Sequence, residues 1–89
     1  MPTIAAKQAL LNVWPLLFSA QSRPLNASEI HEIRRACTLL MEVAGRLQYG
    51  SEAEEFCRAL LGSGVLESGR LADAHALLAQ IDDLRARLE

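Results

Sequence analysis

The sequence predicts an all-α fold, a four-helix array or bundle forming a single helical domain over residues 1–89. Three observations carry that reading. Apolar residues recur at three- and four-residue spacing along most of the chain, and no stretch shows the two-residue alternation of a half-buried strand. Turn and capping residues gather near positions 21–26, 50–51 and 68–69, dividing the periodic segments. At 89 residues the chain is the size of one domain.

The first helix is expected over residues 3–21, with Thr3 as its N-cap. Ile4, Leu11, Trp14 and Phe18 share one helical face, while Ala6, Leu10, Val13 and Leu17 share another. A helix apolar on two faces must be enclosed, by the rest of the fold or by a partner. Pro15 lacks a backbone donor and crowds the preceding turn, so a kink or break is expected near Asn12 to Trp14.

The second helix is expected over 27–49. Asn26-Ala27-Ser28-Glu29 has the spacing of a capping box, and Ile30, Ile33, Cys37, Leu40, Ala44 and Leu47 form a continuous seam. Ala36, Leu39 and Val43 widen that seam into a core-facing stripe. Gly50 is expected to end the helix in the left-handed C′ position.

A second capping box, Ser51 to Glu54, opens the third helix, expected over 51–67. Glu52, Glu54 and Glu55 complement the positive end of its dipole. Phe56, Cys57, Leu60, Leu61, Val65 and Leu66 supply its apolar positions. Gly62 and Gly64 each cost about 1 kcal/mol relative to alanine in a helix interior. Val65 and Leu66 keep the helical phase, so a continuous helix approached closely by a neighbour is preferred to a loop at Gly62-Ser63-Gly64. The fourth helix is expected over 70–88, with Leu71, Ala74, Leu78 and Ile81 in one stripe and Leu77, Leu84 and Leu88 beside it. Asp83 and Arg87 are spaced for an i,i+4 ion pair.

Composition narrows the function. Hydrophobic residues make up 51% of so short a chain, more apolar surface than a small core hides, which points to a protein partner or a second copy. The net charge of −2 gives no electrostatic footprint for nucleic acid or anionic lipid. Residues 1–50 carry net +2 and residues 51–89 net −4, a split read as solvated helical faces. Cys37 and Cys57 read as small core residues in a reducing compartment. Asn12 and Pro15 interrupt the apolar run at 9–18, and Phe18 is too large for the −3 position of a cleavage after Ala20. A cytoplasmic location is expected.

No catalytic residue, metal site or cofactor is expected. His31, Cys37, Cys57 and His75 include no pair at i,i+3 or i,i+4, and no Cys-x-x-Cys occurs. Arg34-Arg35 and Arg46 make a small DNA-binding regulator the rival class. Against it, the tightest turn, Ser68-Gly69, leads into a helix carrying Asp73, Asp82 and Asp83.

Leu61-Gly62, Val65, Gly69, Leu71, Ala74, Leu78 and Ile81 stand in the order and spacing of the landmarks of one tetratricopeptide repeat. Residues 55–88 therefore resemble a single TPR-like helical hairpin. Arg58 stands where the motif prefers Trp, Ala86 where a helix-ending Pro is usual, and no second repeat lies one repeat length upstream. The order of an apolar helix, a capped break at Gly50-Ser51 and a Gly-rich hairpin is similar to that of small TPR-like chaperones of bacterial type III secretion, particularly the needle co-chaperones. That resemblance implies a non-enzymatic chaperone or adaptor holding a helical partner in an apolar groove. It places the ligand-facing positions at Phe56, Ala59, Ser63 and Leu66. Outside the hairpin, Leu10, Trp14, Leu17 and Phe18 are the candidate partner-binding anchors, with buried core as their alternative role. The function expected is protein–protein interaction; a homodimeric structural protein without other ligand is the alternative in the same class.

Overall fold

The computed structural model describes residues 2–46 and 50–88. Its helices are α1 (Pro2–Ala20), α2 (Ala27–Val43), α3 (Gly50–Gly62), α4 (Val65–Ser68) and α5 (His75–Arg87), with a 3-10 turn at Ala44–Arg46 after α2. There is no strand among the described residues. Helix α1 packs on α2, α2 on α3, α3 on α5, and α5 returns to α1, so four helices close a ring around one core. The single-turn α4 leans on α2 and α3.

Leu10, Val13 and Leu17 of α1, Ile33 and Leu40 of α2, Phe56, Cys57 and Leu60 of α3, Val65 of α4 and Ile81 of α5 fill that core. Among the described residues no polar or charged side chain is buried, so burial of aliphatic surface dominates the stability. Directional contacts gather instead at the helix ends. The Asn26 box forms as its spacing predicts: Glu29 N donates to Asn26 Oδ1 at 2.8 Å, and Asn26 N donates to Glu29 Oε1 at 3.0 Å. The α1–α2 turn also clasps the chain between α4 and α5. Leu25 N donates to Gly69 O at 2.8 Å, Leu71 N to Ala20 O at 3.1 Å, and Ala74 N to Gln21 Oε1 at 3.0 Å.

Several elements depart from their predicted form. The expected break at Pro15 is absent and α1 runs through it. Pro15 is exposed, so the missing i−4 hydrogen bond lies on the wet side, where water can serve the carbonyl of Leu11. Thr3 lies inside α1 rather than capping it; the helix starts at Pro2, the residue type favoured at a first helical position. The regular part of α2 ends at Val43; its predicted continuation over Leu47 to Tyr49 lies outside the described residues.

Gly50 does not take the left-handed conformation, which among the described residues occurs at Gly64 and Gly69. It is the first residue of α3, buried so closely on the backbone of Ala44 that a Cβ would collide with it. Ser51, one residue into α3, bonds Glu52 rather than forming a second capping box.

The predicted third helix is broken. Helix α3 stops at Gly62, Gly64 turns left-handed at φ 82°, and Ser63 Oγ donates to Leu60 O at 2.6 Å while accepting from Val65 N at 3.3 Å. A serine that satisfies both flanking backbone groups, beside a glycine free to adopt positive φ, outweighs the helical phase of Val65 and Leu66. The fourth long helix starts at His75 rather than at residue 70, after an Asp73 side chain that accepts from His75 N at 2.9 Å. Leu71 and Ala74 are still buried, but in the clasp rather than in a helix.

Candidate protein-interaction face

The ring encloses one side of α1 and leaves the other outside. Ala6, Ala9, Leu10, Val13, Leu17 and Ala20 are buried. Opposite them Ile4, Leu11 and Phe18, spaced seven residues apart, remain 68%, 40% and 54% exposed. Seven residues are nearly two helical turns, so the three side chains form one row along the outer surface. Trp14 is half-buried beside that row, its ring stacked on Phe18 with centroids 5.5 Å apart and planes 8° from parallel. Near-parallel rings at that separation are offset-stacked, which restrains both side chains. Lys7 is the one charged residue in the sequence of α1.

Two shallow grooves flank α2. One, of about 640 Å³ between α1 and α2, has Ala5, Ala9, Ala36 and Leu39 as its apolar lining and a polar rim including Gln8, Asn12, His31 and Arg35. The other, of about 430 Å³, is lined by Cys37, Met41, Leu61 and Leu66. Arg34, Thr38 and Glu42, at i,i+4 steps along α2, border both and form the ridge between them.

The structure divides the predicted site residues. Trp14 and Phe18 come together on the outer face. Leu10 and Leu17 sit on the opposite side of α1 with no exposure, and Phe56 is likewise fully buried; these three are core and present nothing to a partner. Ala59 and Ser63 are exposed but line neither groove, while Leu66 lines the smaller one. The positions taken from the hairpin resemblance therefore form no common surface. Helix α3 turns Phe56 inward, and the break at Ser63-Gly64 changes the direction of the chain before Leu66.

The packing roles expected of Leu61 and Gly62 are also absent. Leu61 is 49% exposed, and a Cβ on Gly62 would meet nothing within 4 Å, so no helix approaches there. Met41, 45% exposed beside Leu61 on the smaller groove, carried no sequence signal, because a single methionine on a polar helix face is unremarkable to any periodicity. Ile4 and Leu11 were legible as a face with Trp14 and Phe18. Their seven-residue spacing is the signal that extends the aromatic pair into a row.

Charged chemistry lies elsewhere. Arg23 grips Glu29 through two hydrogen bonds of 2.9 and 2.7 Å, and with the Asn26 amide this lowers the Glu29 carboxyl to a pKa of about 2. Cys57 Sγ lies 3.8 Å from the carbonyl oxygen of Cys37; the neighbouring thiol and burial raise its pKa well above the ordinary thiol range. Among the described residues no three His, Cys, Asp or Glu side chains converge as metal ligands, and no helix is long and apolar enough to cross a membrane. Comparison with protein families, characterised proteins and solved structures returns no match.

Proposed function

We propose that this protein is a protein–protein interaction module that receives a helical partner on the outer face of α1, working as a small cytoplasmic chaperone or adaptor. The row Ile4-Leu11-Phe18, backed by Trp14, carries the proposal. Large apolar side chains left in water at seven-residue steps, on a helix whose other face is already satisfied, offer the seam that a second helix reads. The stacked aromatic pair supplies a restrained anchor of the kind that dominates interface energetics. The narrower reading, a type III secretion chaperone, rests on the order of sequence landmarks in residues 55–88 alone. Two buried, unpaired cysteines accord with a reducing compartment.

Trp14 is the one tryptophan of the chain, so the proposed face carries its own reporter. The test is a titration with a synthetic amphipathic helix bearing leucine at heptad a and d positions and lysine and glutamate elsewhere. The emission of Trp14 is expected to shift to the blue as the peptide covers it. Leu11→Asp and Phe18→Asp, each with unchanged circular dichroism, are expected to abolish the shift. A wild-type emission that ignores the peptide, or variants that respond as the wild type does, would sink the proposal.

A further inference from the structure

A pair of reactive side chains that the outer face of α1 leaves unused lies between α2 and α3. Cys37 and Cys57 meet across that contact: the Cys57 thiol donates to the Cys37 carbonyl oxygen at 3.8 Å, and the two thiols are hydrogen-bonded neighbours. We propose that hydrogen peroxide joins them in a reversible disulfide that staples α2 to α3 beneath the smaller groove. The loop it closes spans twenty positions and includes the close approach of Gly50 to Ala44, so the chain is already folded back on itself where the bridge forms. In a reducing compartment such a bond is transient and serves sensing rather than permanent stability.

Access sets the order of events. Cys37 lines the smaller groove and keeps 5% exposure, whereas Cys57 lies deeper with none. Hydrogen peroxide is little larger than water, so it reaches a thiol at the floor of a groove that bulkier oxidants cannot enter. The hydrogen bond from the Cys57 thiol also holds the Cys37 thiol below its ordinary pKa, against the opposing effect of burial, which favours the nucleophilic thiolate there. Cys57 is held high by the same neighbour, by burial and by the Glu54 charge, so it stays a thiol until Cys37 has reacted.

The chemistry balances with peroxide alone. The Cys37 thiolate attacks one peroxide oxygen and the O–O bond breaks. The departing hydroxide takes up the proton that Cys37 released and leaves as water, with a sulfenic acid on Cys37. The Cys57 sulfur then attacks the sulfenic sulfur: an S–S bond forms, the S–O bond breaks, and the hydroxide released carries off the Cys57 proton as a second water. The two thiols together give up two electrons, and the peroxide accepts them. Oxidation of Cys37 also removes the neighbour that kept the Cys57 thiol protonated. A small thiol reductant restores both thiols by exchange.

The test exposes the full folded chain to hydrogen peroxide, stops the reaction with catalase, alkylates the remaining thiols in denaturant and maps the tryptic peptides without reduction. Trypsin cuts after Arg35, Arg46 and Arg58 and so separates the two cysteines. The Cys37 and Cys57 peptides are expected to be joined within one chain, lighter by two hydrogen atoms, and to part in dithiothreitol. Met41 shares the Cys37 peptide, and its sulfoxide is told from the bridge by the added oxygen. In Cys57→Ala, dimedone added on unfolding is expected to trap a sulfenic acid on Cys37; in Cys37→Ala it is expected to find none on Cys57. Thiols left free by excess peroxide overturn the proposal, as do peptides joined between chains, a sulfinic acid without a bridge, or an adduct on Cys57 in Cys37→Ala. So does a joining rate that climbs in sub-denaturing urea with the unfolded fraction, which assigns the reaction to the unfolded chain. If neither variant keeps the wild-type circular dichroism, the wild-type map and its urea dependence decide.

Discussion

The amide of Leu25 donates a 2.8 Å hydrogen bond to the carbonyl of Gly69, and the two residues pass so close that a Cβ on Gly69 would stand 2.9 Å from the Leu25 carbonyl oxygen. Gly69 also sits at φ 71°, where an L side chain is strained. Conformation and space forbid a side chain independently. Gly69→Ala is therefore expected to cost about 2 kcal/mol or more in urea unfolding, with loss of the clasp.

Gly62 predicts the opposite. It ends α3 with helical geometry and open space around its Cα, so Gly62→Ala is expected to raise stability by up to about 1 kcal/mol. A destabilised variant would show that something covers this position in solution.

Phe56 and Phe18 separate folding from association. Phe56 is fully buried, and Phe56→Ala is expected to cost about 3–5 kcal/mol and to bring a matching drop in the thermal midpoint. Phe18 stands largely in water, and Phe18→Ala is expected to cost less than about 1 kcal/mol, its stack on Trp14 being the main loss. Its effect belongs in the peptide titration.

The Arg23–Glu29 pair gives a defined acid limb. The Glu29 carboxyl titrates near 2 in the folded chain against 4.5 ordinarily, so its contribution is complete above pH 4.5 and disappears as the pH falls towards 2. Glu29→Gln keeps the reach of a capping box without the charge. Its stability is expected to lie below wild type at neutral pH and to converge with it near pH 2; curves that run parallel throughout would remove the pair from the acid response.

Cys37 and Cys57 are both buried, and the raised pKa of Cys57 keeps its thiol protonated. Cys57, with no exposure, is not expected to react with a thiol reagent at neutral pH while the chain is folded. Its thiol is expected to become reactive towards that reagent only across the unfolding transition.

The all-α class, the Asn26–Glu29 capping box and most of the core were legible because each follows from local spacing. Ile33, Cys37 and Leu40 lie on the seam their three- and four-residue steps define. Where reading failed, the deciding contact was distant or chemically fine-grained. Periodicity carried Val65 and Leu66 into a continuous helix, yet a serine satisfying two backbone groups at Ser63 stopped it. Residues 70–74 have helical spacing, but the acceptors they bond, Ala20 O and Gln21 Oε1, stand some fifty positions earlier. On α1 both apolar faces were visible. Which one the ring would enclose depended on α2 and α5, and enclosure of Leu10 and Leu17 is what turns Phe18 outward.

The clasp also bears on how this chain holds a single register. Its core side chains are predominantly aliphatic, and no polar or charged residue among the described ones belongs to that core. Such surfaces can slide past one another by a helical turn at modest cost, since one leucine receives another almost anywhere. Hydrogen bonds do not slide: they are satisfied at one alignment and broken at the next. The bonds joining Ala20, Gln21 and Leu25 to Gly69, Leu71 and Ala74 thus work as an index mark, fixing at one end of the ring the alignment along which the greasy interior is free to fill.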